Sequence, residues 1–253
     1  MDHCESASTK LLDSATAVLG EQAAALSHVH GLYQTDETAR RSLAAAVDAI
    51  VQAQARRGKL IVCGVGKSAY VGMKLVATCK SLGIAASFMH ACEAVHGDLG
   101  DIREDDVLLF ISYSGKTPEL LNLRPHIPQS TRVMVVTSQS RPEDCLLLAD
   151  REDGILIQAS IHKSEEESFG VSAPTTSATV ALAISDMLAL TVAGQIHADK
   201  RKEVFKWNHP GGAIGMRHEE VEALKEKCLD VSIVELPSPS LSAQDEENDS
   251  KAI

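Results

Sequence analysis

The sequence has few aromatic residues and no excess of positive charge. Phenylalanine, tryptophan and tyrosine make up 3% of the 253 residues, so aromatic platforms for stacking bases are scarce. The 24 basic residues stand against 35 acidic residues, and the resulting net charge of −11 repels nucleic-acid backbones. We therefore expect no general binding to nucleic acid, whereas a local cluster of donors can still bind a small phosphate ester.

The sequence also shows no signal for export or for a disulfide framework. Its apolar stretches look too short or too polar to cross a bilayer, and the first residues lack a basic segment followed by an apolar run. The six cysteines are scattered without a CxxC pair, which argues against a structural zinc site and for a reducing compartment. We therefore expect a cytoplasmic protein with no membrane partner.

Hydrophobic spacing predicts an α/β fold. Two amphipathic helices are expected first, over 5–30 and 36–57. Short, nearly continuous apolar runs follow, as expected for strands covered on both faces, at 59–63, 85–89, 107–112, 132–137 and 154–158. Helical patterns separate several of these runs, at 68–82, 117–124 and 141–149, and a long helix over about 175–196 closes the unit. This alternation predicts a parallel sheet with right-handed crossovers.

The predicted organisation has one principal domain with extensions at both ends. We expect a helical segment over 1–35, the principal domain over 36–215 and a helical extension over 216–235. The last segment, 236–253, is rich in acidic residues and poor in large apolar ones, which predicts a disordered tail.

A glycine turn follows the first predicted strand, in GVGKS. Gly64 and Gly66 permit tight backbone turns, and Ser68 opens a helix whose free N–H groups suit an anion. The spacing is not that of a Walker A loop, nor is it GxGxxG, because Ala69 occupies the last glycine position. A simple turn with an exposed Lys67 is an equally good interpretation of this segment alone.

Hydroxyl groups surround a second glycine turn, in ISYSGKTPE. Ser112, Ser114 and Thr117 precede a predicted helix, and such a turn can cradle a phosphate without a metal. The alternative is an ordinary helix cap with Glu119 as its acidic member. Three hydroxyls and a glycine exceed what a cap needs, so the pattern favours phosphate.

Three further segments carry polar residues next to predicted strand or helix ends. APTTSAT begins the long helix, and the acidic run 165–167 before it offers a carboxylate general base. His209, in NHPGG, is a candidate acid–base group, although a loop histidine is the commoner interpretation. HACEAVHGDLG contains His90 and His96, but its spacing matches no standard zinc pattern.

These segments, in this order, resemble the sugar isomerase (SIS) domain family. GVGKSAYVGMKLVAT, HACEAVHGDLG, ISYSGKTPELL, APTTSATVALAISDMLAL and NHPGGAIG resemble its arabinose 5-phosphate isomerase (KpsF/GutQ-type) branch. The resemblance implies a three-layer αβα sandwich around a five-stranded parallel sheet, with a phosphosugar as ligand. It also implies homotetramers with sites at subunit contacts.

The resemblance also implies roles for individual residues. Its catalytic positions fall on Lys67, Glu119, Glu166 and His209. Substrate contacts are expected at Gly66, Ser68, His96, Ser112, Ser114, Thr117, Thr175 and Ser177. The family can bind zinc at the position of His90 without requiring it for turnover, so no cofactor is expected to be needed.

The sequence departs from the family at several points. Bacterial members usually carry a pair of CBS modules after HPGG, and no such pair follows here. Lys116 and Pro118 occupy positions where relatives often have glutamate and serine. The segment 159–170 matches weakly, so Glu166 is chosen over Glu165 and Glu167 by counting alone.

The expected activity is interconversion of D-arabinose 5-phosphate and D-ribulose 5-phosphate through a cis-enediol. Glu166 would be the carbon base, Glu119 would move hydroxyl protons, and Lys67 would stabilise developing negative charge. His209 would help to open the ring or move a proton. The alternatives are a non-catalytic phosphosugar-binding domain, as in sugar-responsive regulators, and a lyase or etherase on an amino-sugar phosphate.

Overall fold

The computed structural model describes residues 2–210, with side chains from Ser8 onward. The predicted helical extension over 216–235, the predicted tail over 236–253 and residues 211–215 of the predicted domain lie outside the described residues.

Five parallel strands form one sheet. They are β1 (Leu60–Gly64), β2 (Ala86–His90), β3 (Val107–Ile111), β4 (Arg132–Thr137) and β5 (Ile155–Gln158), in the order β2-β1-β3-β4-β5. Leu60 pairs with Ala86 on one side and with Val107 on the other. The predicted α/β class and the predicted number of strands are confirmed.

Eight α-helices accompany the sheet in the described part of the chain. They are α1 (Asp2–Thr35), α2 (Glu37–Ala55), α3 (Lys67–Ser81), α4 (Ala91–Ala94), α5 (Pro118–Leu123), α6 (Glu165–Phe169), α7 (Thr176–His197) and α8 (Arg201–Trp207). The predicted helices before β1, after β1, after β3 and at the end of the sheet are confirmed.

The predicted helix over 141–149 is wrong. Two single 3-10 turns, Pro142–Asp144 and Leu146–Leu148, occupy this segment. Cys145 lies between them with φ −101° and ψ 99°, an extended conformation that interrupts any helix. Its side chain is buried with the core on that face of the sheet, so packing overrides the local helical pattern.

Side chains on the two faces of the strands enter two separate cores, which gives the three-layer sandwich. Leu60 and Val62 pack with α2, α3 and α7 on one face. Ile61 and Phe110 pack with α4 and α5 on the other. Because both faces are covered, the strands have no polar side and appear in the sequence as continuous apolar runs.

Helix α7 is more apolar than the sequence expectation allowed. Within residues 2–210 it belongs to the one stretch, Thr176–Trp207, that is long and apolar enough to cross a membrane. The helix contacts α1, α2 and α3 and buries Val180, Ile184 and Leu188 in the core. Burial within the protein therefore accounts for its composition.

Candidate active site

A cavity of about 420 Å³ opens at the carboxyl ends of β1, β3, β4 and β5. Its wall includes the residues that follow these strands, the beginning of α3, the α6 segment and the first turns of α7. Ligands of open parallel sheets bind at this edge, near the point where the strand order reverses. Here that point lies between β1 and β3.

The GVGKS turn presents Lys67 and Ser68 to the cavity. Gly66 adopts φ +56°, which glycine adopts readily, and it precedes the first residue of α3. Gly64 is required for a different reason, because a Cβ there would lie 3.1 Å from the Ser68 carbonyl carbon. Lys67 and Ser68 both lie on the cavity wall.

The predicted phosphate loop is a closed turn at the start of α5. The Ser112 and Thr117 hydroxyls lie 2.7 Å apart, and the Gly115 N–H donates to the Ser112 carbonyl. The Ser114 hydroxyl accepts a hydrogen bond from the Lys116 N–H at 3.2 Å. These hydroxyls are engaged with one another rather than placed on the cavity wall, which the loop reaches through Tyr113.

Residues that follow β4 hold this loop in place, and the sequence reasoning did not identify them. The Thr137 and Ser138 hydroxyls donate to the Tyr113 carbonyl at 3.0 and 2.7 Å. The Gln139 amide donates to the Ser114 carbonyl at 3.1 Å. The signal was present in the sequence, since TSQS is a polar run directly after an apolar strand and so belongs to the same sheet edge.

Tyr113 is a further cavity residue that the sequence reasoning did not identify. Its side chain lines the cavity, where burial, followed by the negative charge of Glu165, raises the pKa of the phenol. The phenol therefore remains protonated at neutral pH and can donate a hydrogen bond to a ligand.

The three adjacent glutamates make different contacts. Glu167 forms a capping box with Ser164, whose N–H and hydroxyl lower the pKa of the Glu167 carboxyl. Glu165 is buried and accepts hydrogen bonds from the beginning of α7. Glu166 lies on the cavity wall with one oxygen 2.7 Å from the Ser172 hydroxyl.

Several predicted substrate contacts do not lie on the cavity wall. Glu119 is exposed in the first turn of α5, and His96 is exposed beyond α4. The Thr175 N–H is occupied by Glu165. Ser177 does line the cavity, but its N–H and hydroxyl also donate to Glu165, at 3.0 and 2.8 Å.

His209 lies at the opposite end of α3 from Lys67. Its Nδ1–H donates to the Phe205 carbonyl at 2.7 Å, and its Nε2 lies 3.2 Å from the hydroxyl of Ser81, the last residue of α3. At about 1.5 Å per residue, the helix separates its ends by about 20 Å. Within one chain His209 therefore does not reach the cavity that contains Lys67 and Glu166.

His90 caps a short helix. Its Nδ1 accepts a hydrogen bond from the Cys92 N–H at 3.3 Å at the start of α4. Among residues 2–210, no three histidine, cysteine, aspartate or glutamate side chains lie together as a metal site. One chain therefore offers no ligand set for zinc at His90, and zinc binding stays a prediction through which we derive no step.

Replacing Gly115 with alanine is expected to raise KM for a phosphosugar and to lower Tm. The residue has φ +65°, and a Cβ would lie 2.9 Å from the buried Cys145 sulfur. The loop would have to shift from its present turn. Gly20→Ala is the control, because nothing lies within 4 Å of a Cβ there. Unchanged KM in Gly115→Ala would contradict a ligand role for this loop.

The profile of the SIS domain family matches residues 53–191. The chain belongs to the SIS domain family. The matched range includes all five strands and the first sixteen residues of α7. Helix α1 and most of α2 precede it.

Curated relatives within this family include arabinose 5-phosphate isomerases. The chain is 34% identical to arabinose 5-phosphate isomerase KpsF of Escherichia coli over 235 residues, which are 92% of this chain and 64% of that protein. It is 35% identical to arabinose 5-phosphate isomerase KdsD of Yersinia pestis over 187 residues, which are 74% of this chain and 54% of that protein.

A solved SIS-type structure, that of Escherichia coli CFT073 c3406 in complex with arabinose 5-phosphate, is similar along nearly its whole length. The TM-score is 0.65 at 29% identity, over 80% of this chain and 98% of that one. By contrast, the chain spans between 58% and 64% of the first curated relatives.

Proposed function

We propose that this SIS domain protein is an aldose–ketose isomerase that interconverts D-arabinose 5-phosphate and D-ribulose 5-phosphate. The observation that carries the proposal is the placement of Lys67 and Glu166 on the wall of one cavity at the carboxyl edge of the sheet. The relatives named arabinose 5-phosphate isomerase and the similar structure in complex with arabinose 5-phosphate support this choice of substrate.

The cavity supplies the two charges that the reaction needs. The Glu166 carboxylate can take the proton from C2 of the aldose, while the electron pair forms the C1–C2 double bond and O1 gains a proton. The Lys67 ammonium group, on the same wall, stabilises negative charge that develops on O1 and O2.

The second half of the reaction returns the same proton. The cis-enediol loses its O2 proton as the carbonyl forms at C2, and the carboxyl group of Glu166 delivers a proton to C1. Glu119 and His209 are assigned to the hydroxyl protons and to ring opening. The steps conserve electrons within the sugar, so they require side chains alone.

The phosphate is assigned to the turn that begins at Ser112. Backbone N–H groups at the start of α5 and the ammonium group of Lys116 favour a dianion there. The cavity volume of about 420 Å³ lies within the usual range for small-molecule sites. Phosphate binding at one end would place the carbonyl end of the sugar towards Lys67 and Glu166.

A second protomer is proposed to complete the site. His209 is anchored about 20 Å from Lys67 along α3 of its own chain, so its catalytic role requires a neighbouring chain. A homotetramer with sites at subunit contacts, located in the cytoplasm, satisfies this requirement. The four cysteines of the described segment are all free thiols, which suits a reducing compartment.

An isomerisation assay across phosphosugars tests the proposal. We expect the highest kcat/KM with arabinose 5-phosphate and ribulose 5-phosphate, and lower values with glucose 6-phosphate and fructose 6-phosphate. Saturable binding of these sugars, measured by calorimetry, without any turnover would contradict the proposal and establish the phosphosugar-binding alternative.

A further inference from the structure

Glu165 takes over the capping of α7. The N-cap residue Thr175 makes no side-chain capping bond of its own. Instead Glu165 Oε1 accepts from the Thr175 N–H at 2.7 Å, the Ser177 N–H at 3.0 Å and the Ser177 hydroxyl at 2.8 Å. The carboxylate thus satisfies donors that the beginning of a helix otherwise leaves unpaired.

The charge of Glu165 is balanced by this helix end rather than by a cation. The residue is 8% exposed, and within residues 8–210 no lysine, arginine or histidine forms an ion pair with it. A buried carboxylate needs compensation, which the N–H groups and the positive end of the α7 dipole provide. The contact is therefore strong and directional.

Helix α6 depends on such anchors for its orientation. It has five residues, far fewer than an isolated helix needs for stability. Glu165 fixes its first residue to α7. From the other side, Glu21 of α1 accepts from the Ser168 hydroxyl at 3.3 Å and lies 3.4 Å from His162 Nε2.

The anchored residue and the proposed base are adjacent in α6. Successive residues of an α-helix point about 100° apart, so fixing the direction of Glu165 also fixes that of Glu166. With Glu165 bound to α7, Glu166 lies on the cavity wall near Ser172.

We infer that Glu165 is a positioning residue: by capping α7 it aims the Glu166 carboxylate at the sugar. The inference rests on the proposed isomerase function. It also assigns the Thr175 and Ser177 donors to Glu165 rather than to the phosphate, so the phosphate is left to the turn that begins at Ser112. Glu165 is expected to govern kcat and to have little effect on KM.

The test compares Glu165→Ala, Glu165→Gln and Glu166→Gln in the full-length chain. We expect Glu165→Ala to lower kcat about 100-fold, as a misaimed catalytic group does, with nearly unchanged KM and a lower Tm. Glu165→Gln keeps an acceptor oxygen and should retain more activity than Glu165→Ala. Both variants should keep the acidic limb of the profile of kcat/KM against pH, because the base is still present.

Two comparisons separate this inference from the proposed function. Glu166→Gln should lose the acidic limb at unchanged Tm, and Glu167→Gln should behave as wild type because glutamine also completes a capping box. Wild-type kcat in Glu165→Ala, or a lower KM, would overturn the positioning role while leaving the isomerase intact. Loss of the acidic limb in Glu165→Gln would make Glu165 the base. If Glu165→Ala does not fold, Glu165→Gln still decides.

Discussion

Glu166→Gln is expected to lower kcat for arabinose 5-phosphate by about 1,000-fold, within the range that general-base catalysis supplies. The amide has nearly the shape of the carboxylate but cannot take the C2 proton. Since Glu166 is exposed on the cavity wall, its replacement should leave folding intact. Steady-state kinetics together with the Tm measure both effects.

The neighbouring residue provides the control for this variant. Glu167 lies in the same short helix but bonds to Ser164 and does not line the cavity. Glu167→Gln should therefore keep kcat within about twofold, as surface changes away from a site usually do. Near-normal turnover in Glu166→Gln would remove Glu166 as the carbon base.

Mixed oligomers of two inactive variants are expected to regain activity. Lys67→Ala removes the cation of the cavity, and His209→Ala removes the histidine held at the far end of α3. If each site takes these residues from different protomers, random mixing restores about one quarter of the sites. Co-expression with two affinity tags and tandem purification yields the mixed species for assay.

A second pair of variants controls for recovery by other routes. Lys67 and Glu166 line the same cavity within one chain, so mixing Lys67→Ala with Glu166→Gln leaves a defect in every site. This pair should show no recovery. Absence of recovery in the Lys67→Ala and His209→Ala mixture would contradict a site shared between protomers.

Short-range patterns sufficed for the sheet, because strands buried on both faces must be apolar throughout. Leu108 and Leu109, for example, enter opposite cores and are both fully buried. The same reasoning failed over 141–149, where the extended Cys145 fits against the Gly115 turn. That contact joins distant parts of the chain, so no local pattern could predict it.

The site was predictable to the extent that strand ends determine it. Lys67 and Glu166 were expected at one site, and both line the cavity, although nothing yet tests their roles. The capping of α7 by Glu165 was not predictable, because Thr175 is itself an ordinary capping residue. The position of His209 depends on how α8 packs against α3, which sequence spacing does not show.

Proton exchange with solvent tests the central claim most directly. The wild-type protein is incubated with arabinose 5-phosphate in D₂O, and NMR follows deuterium at C2 of the aldose and C1 of the ketose. Transfer through Glu166 and an enediol predicts deuterium at both carbons, and little at either in Glu166→Gln. Turnover that leaves both carbons free of deuterium, or binding without any exchange, would contradict the account.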